Sequence, residues 1–170
     1  MKIAILVLCL AAYSSAQLSC DEGWTLIGRE CYMEFQSTPP DEQLQIRRTC
    51  CDYPTAKAIC ERFGAHLVDI KSQEEQDNIR SWLESVNSTD VWMGMTSPTP
   101  GGKLFHSDNT PVKYFTWTSS EPGRGLGRNE PVRCVRMHEE NDNLFDWSDR
   151  ACFWQYGALC EKDPNKPRKG

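Results

Sequence analysis

The sequence predicts an α+β domain: two early helices, then antiparallel sheets with a long loop region, the whole stapled by disulfides. Three observations carry this. Helical spacing of apolar residues is confined to residues 52–86. Beyond Asp90 the apolar runs are short and are separated by stretches rich in Gly, Pro, Ser and Thr. Nine cysteines are a high count for 170 residues. With 39% apolar and 25% charged residues the chain is globular, and its length suits one well-filled domain.

Taken in order, Met1-Lys2, the apolar run 3–12 and the small residues Ser14-Ser15-Ala16 form a signal peptide over residues 1–16, cleaved after Ala16. The run is about half of what a membrane-spanning helix needs. No later stretch is apolar enough, so the expectation is a secreted, extracellular chain with no membrane span. Residues 17–162 make the domain. Residues 163–170 hold Pro, Lys and Arg but no apolar side chain, and are expected to be a flexible basic tail.

Asp52 suits an N-cap and Pro54 a first turn, after which Ala56, Ile59, Cys60 and Phe63 share one helical face. Gly64 ends that helix. Residues 66–70 alternate as a short strand. Ser72-Gln73-Glu74-Glu75 is a capping box opening a second helix with Ile79, Trp82, Leu83 and Val86 on its apolar face. Residues 91–95, 114–117 and 132–137 read as strands, with loops over 97–109 and 119–131. Trp82, Trp92, Trp117 and Trp147 fall at core-pattern positions, while the exposure of Trp154 stays open.

The formal net charge of −5 excludes a general nucleic-acid binder. An enzyme has no support either: no Ser/His/Asp or Cys/His set has the spacing, and Glu139-Glu140 reads as solvated. Loss of the leader removes Cys9 and leaves eight cysteines, an even set that reads as disulfides in an oxidising compartment. There is no Cys-x-x-Cys, and the three histidines are remote, so zinc is weakly supported. Cys50 and Cys51 are adjacent. Their Cα atoms, about 3.8 Å apart, sit below the usual disulfide range, so at least one is expected to bridge to a second chain in a disulfide-linked homodimer. Asn87-Ser88-Thr89 is an N-glycosylation sequon, which predicts a glycoprotein.

Several motifs now arrive in one recognisable order. They are Cys20-Asp21-Glu22-Gly23-Trp24 with Cys31-Tyr32, the helix ending in Cys60, and Gly64-Ala65-His66-Leu67-Val68-Asp69-Ile70. Val91-Trp92-Met93-Gly94-Met95, Phe115-Thr116-Trp117, Cys134-Val135, Trp147-Ser148-Asp149, Cys152 and Leu159-Cys160-Glu161 follow. The series resembles the C-type lectin-like domain in its long form, with an N-terminal hairpin. The resemblance implies pairings Cys20–Cys31, Cys60–Cys160 and Cys134–Cys152, leaving Cys50 and Cys51 unassigned.

It also implies a calcium-dependent sugar site, in which Ca²⁺ takes about six to eight oxygens and sugar hydroxyls complete the shell. Here that site is degraded. Glu121-Pro122-Gly123 replaces the family's Glu-Pro-Asn, Val132 replaces a Glu, and Ser148 replaces an Asn beside Asp149. Glu121 and Asp149 survive, and Glu121-Pro122 resembles mannose-type members if the proline is cis. Asn129 and Glu130 supply the missing ligand types, displaced upstream in a longer loop. Arg124, Arg128, Arg133 and Arg136 concentrate positive charge there, suited to anionic groups unless they pair with Glu130, Glu139, Glu140 and Asp142. The expectation is a secreted carbohydrate-binding lectin, of the kind serving innate recognition, with weak calcium binding at Glu121 and Asp149. The alternative is a calcium-independent lectin-like module for a protein, an anionic glycan or extracellular matrix.

Overall fold

The structure, a computed structural model, describes residues 18–35, 50–99, 102–119, 121–122, 133–140 and 144–164. The predicted signal peptide, the residues beyond 164 and the loop carrying Arg124, Arg128, Asn129 and Glu130 lie outside these residues. Strands β1 (Thr25–Ile27) and β2 (Glu30–Phe35) precede helix α1 (Tyr53–Arg62), strand β3 (His66–Leu67) and helix α2 (Gln73–Ser85). Strands β4 (Asp90–Ser97), β5 (Arg133–Glu140), β6 (Leu144–Ala151) and β7 (Gly157–Lys162) follow. They form one sheet in the order β1-β2-β7-β4-β5-β6, with β3 pairing β7.

Both helices start where the sequence places them. The Asp52 carboxylate accepts the Thr55 N–H at 3.0 Å, and Gly64 ends the helix region at φ +68°. At α2, Ser72 Oγ accepts the Glu75 N–H at 3.2 Å. The reciprocal bond differs from the expected capping box, because Glu75 accepts the Lys71 N–H instead. Ala56, Cys60, Ile79 and Leu83 are buried, whereas Phe63 and Val86 lie at the helix ends and are exposed.

β4 is buried on both faces, which explains its nearly unbroken apolar run. Val91, Met93 and Met95 pack with Ile79 and Leu83 of α2. Trp92 faces the other way, into a cluster with Ala56, Cys60, Tyr156 and Ala158. Gly94 is required by close approach: its N–H donates to the Val68 carbonyl at 2.7 Å, and a Cβ there would sit 2.6 Å from the Leu67 carbonyl oxygen. Trp92 and Trp147 are fully buried, Trp82 and Trp117 are half-buried against the core, and Trp154 is 51% exposed beside Phe153.

Three expectations need correction, whereas the sheet is mostly antiparallel as expected, with one parallel pair, β4 with β7 through Val91↔Gly157 and Trp92↔Ala158. The intervening β5–β6 hairpin supplies the long crossover a parallel pair needs. Residues 66–70 form a strand only over His66–Leu67. Residues 114–117 form no strand, because the segment touches Trp147 through two backbone bonds, Trp147 N–H to Thr116 and Thr118 N–H to Trp147.

The third correction concerns the cysteines. Cys20–Cys31, Cys60–Cys160 and Cys134–Cys152 pair as the resemblance implies, and Cys50 is joined to Cys51. Neither thiol is then left for the expected intermolecular bridge. The surroundings give the reason. Cys51 is buried, exchanges both backbone hydrogen bonds with Tyr156, and its carbonyl accepts the Trp92 indole N–H at 3.0 Å. A residue held on three sides inside the core cannot reach another chain.

Candidate functional site

The β5–β6 ribbon positions the residues singled out for calcium. Its register sets Arg133 opposite Ala151, Cys134 opposite Arg150, Val135 opposite Asp149 and Arg136 opposite Ser148. Side chains alternate between the two faces of such a ribbon, so Arg133 and Asp149 share one face while Arg136, Ser148 and Arg150 share the other. The hydrogen bonds follow this division.

On the first face Asp149 is fully buried, and Arg133 Nη1 donates to its Oδ2 at 2.6 Å. Arg133 Nη2 donates to the Gly102 carbonyl at 3.0 Å, tying the 102–118 loop to the same ion pair. On the second face Arg136 Nε donates to Ser148 Oγ at 3.0 Å while its Nη1 pairs with Asp90. The Arg136 guanidinium also lies 4.5 Å over the Tyr156 ring. Burial lowers the pKa of Arg136, and the Asp90 carboxylate opposes that shift.

Glu121 completes the arrangement. Its bond to Pro122 is cis, and its side chain is 3% exposed. Arg150 Nη1 donates at 2.5 Å to Glu121 Oε1 and at 2.7 Å to the main-chain oxygen of Asp149. One guanidinium nitrogen therefore bridges two of the oxygens that survive from the expected calcium site. Arg133 holds the Asp149 carboxylate and Arg136 holds Ser148.

These residues do not fit calcium as they stand. Glu121 Oε1, Asp149 Oδ2, the Asp149 main-chain oxygen and Ser148 Oγ each already accept from a guanidinium group. A divalent ion about 4 Å from one guanidinium would be repelled by roughly 8 kcal/mol at an effective dielectric constant near 20. Among the described residues no group of three or more His, Cys, Asp or Glu side chains is placed to hold a metal ion. The displaced Asn129 and Glu130 fall outside the described residues.

The anionic-ligand reading changes too. Arg133 pairs with Asp149 and Arg136 with Asp90, so both guanidinium groups are engaged within the sheet. The side chains of Glu130, Glu139, Glu140 and Asp142 lie outside the described residues. Arg150 was not singled out from the sequence. Its signal was there, as a cation directly after Asp149, but its partner is 29 residues away and needs the fold to reveal it.

Comparison with known proteins completes the picture. Residues 51–162 match the family model described as the lectin C-type domain. The chain is 29% identical over 149 residues to the type-2 ice-structuring protein of Brachyopsis segaliensis, covering 88% of this chain and 76% of that one. Among solved structures it is similar to a calcium-independent type II antifreeze protein, with a TM-score of 0.68, 28% identity, and coverage of 88% and 98% of the two chains. It is also similar to the cow CD23 C-type carbohydrate-recognition domain crystallised with a GlcNAc2Man3 oligosaccharide, with a TM-score of 0.66, 25% identity, and coverage of 86% and 98%. The strand order, the three long-range disulfides and the matched model agree: the chain belongs to the C-type lectin domain family.

Proposed function

We propose that this chain is a secreted lectin-like binding protein, not an enzyme, that engages its ligand without calcium. The observation that carries the reading is Arg150 Nη1, bonded to both Glu121 Oε1 and the Asp149 main-chain oxygen. The protein supplies its own cations where relatives of the sugar-binding kind would need an ion. Similarity to a calcium-independent type II antifreeze protein supports this, and similarity to an oligosaccharide-bound recognition domain supports a glycan ligand. Four disulfides among the described residues support an oxidising compartment. Asn87 is exposed just past α2 and remains the proposed glycosylation site. Arg133 and Arg136 are engaged internally, so any ligand contact by loop cations would fall to Arg124 and Arg128, which lie outside the described residues.

A glycan array of neutral, uronate and sulfated sugars, read in calcium and again in chelator, tests this. The expected result is one binding profile under both conditions. Binding that disappears in chelator would overturn the reading. A thermal hysteresis gap without glycan binding would instead favour the activity named for the Brachyopsis relative.

A further inference from the structure

A cavity of about 360 Å³ opens beside the start of α2, lined by Lys71, His106, Thr110, Pro111, Lys113 and Tyr114. It shares no residue with the Glu121–Asp149 cluster. We propose that it is a separate binding site for an acidic sugar residue, a uronate or a sulfated pyranose.

Size and rigidity come first. The volume lies in the range of small-ligand sites, about 300 to 1,000 Å³. The walls are held before any ligand arrives. Tyr114 donates its hydroxyl to Gln73 at 2.9 Å and packs edge-on against Trp147, with ring centroids 5.6 Å apart. His106 Nδ1 lies 3.2 Å from the buried carboxylate of Asp69, and the His106 N–H donates to the Thr110 carbonyl. Asp69 also accepts the Ser107 N–H, and Asp108 accepts the Thr110 N–H, so the turn between them is braced at both ends. Little ordering entropy is left to lose in the backbone, His106 and Tyr114, so the cost of ordering falls on the two lysine side chains.

The chemistry of the lining selects the ligand. Pro111 and the Tyr114 ring offer an apolar surface suited to the C–H face of a pyranose. Lys71 and Lys113 bring two ammonium groups, and the lining holds no carboxylate, on a chain whose net charge is −5. Lys71 reaches Asp108 at 3.8 Å, but both side chains are more than half exposed, so that pair is weak and an incoming anion can compete for the ammonium. Lys113 is exposed and forms no ion pair among the described residues. A neutral sugar would leave both charges unused. A bare inorganic anion would leave the apolar wall unused.

The inference rests on the binding-protein reading but not on its calcium part. Calorimetric titration of the full chain in chelator would use glucuronate, glucose 6-sulfate, glucose and inorganic sulfate. Both acidic sugars should bind at least about tenfold more tightly than glucose and than inorganic sulfate. A Lys71→Ala/Lys113→Ala double variant should weaken the acidic sugars by about tenfold or more with its melting temperature retained, because both lysines are exposed. Equal binding of glucose, inorganic sulfate as tight as the sugar sulfate, or unchanged affinity in the double variant would each overturn the cavity assignment. Unchanged affinity in that variant would still leave calcium-independent binding standing. No binding of either acidic sugar in chelator would also overturn the cavity assignment, and only binding that returns on adding calcium would count against the calcium-independent reading.

Discussion

Replacing Arg133 with alanine is expected to cost about 3 to 5 kcal/mol of folding stability, the range for removing one partner of a buried ion pair. Asp149 is fully buried, and the Arg133 guanidinium 2.6 Å away neutralises its carboxylate. The same substitution deprives the Gly102 carbonyl of its donor and loosens the 102–118 loop from the sheet. Adding Asp149→Asn to that background should restore part of the loss, because a neutral amide needs no buried cation. Urea unfolding at neutral pH reads both effects. A cost below about 1 kcal/mol, typical of an exposed pair, would mean that Arg133 is not the internal counter-ion of this site.

Stability should also fall as pH rises from 5 towards 8.5, and Glu161 is the reason. Its side chain is buried on β7 and accepts the Asp69 N–H at 2.9 Å. Burial pushes its pKa up from 4.5 to about 8; the Asp69 N–H bond opposes the shift, and the nearby carboxylates of Glu75, Asp69 and Glu30 add to it. A carboxyl whose pKa is raised on folding contributes fully below its unfolded value, and that contribution is lost as pH climbs through the folded value. The displacement corresponds to roughly 3 to 4 kcal/mol between those limits. Glu30 is shifted in the same direction, with burial the leading cause. Glu161→Gln should flatten most of the pH dependence and raise the melting temperature at pH 8.5. A wild-type chain more stable at pH 8.5 than at pH 5 would contradict this account.

Local signals in the sequence were reliable wherever local chemistry decides the structure. Asp52, Pro54, Gly64 and Ser72 bound the two helices because caps and turns act over three or four residues. The apolar run around Trp92 identified a strand, and burial on both faces, which the structure adds, explains why the run holds so few polar residues. What stayed illegible depends on strand register. The parallel pairing of β4 with β7 joins residues 66 apart, and no local pattern announces it. Arg133, Arg136 and Arg150 looked like a surface charge cluster or went unnoticed. Only the alternation of side chains across β5 and β6 shows that two of them face buried oxygens of the sheet and the third bridges to Glu121. The Cys50–Cys51 bond was hidden for a similar reason, since Trp92 and Tyr156 fix Cys51 from far along the chain.

The same arginines make one measurement decisive. A ligand that binds the folded state raises its stability by mass action, so calcium affinity reads directly as a shift in melting temperature. The full chain should melt at the same temperature in millimolar calcium and in chelator, because Glu121 Oε1, Ser148 Oγ and Asp149 Oδ2 are already engaged by Arg150, Arg136 and Arg133. A rise of several degrees in calcium, reversed by chelator, would contradict the claim that these guanidinium groups stand in for the ion.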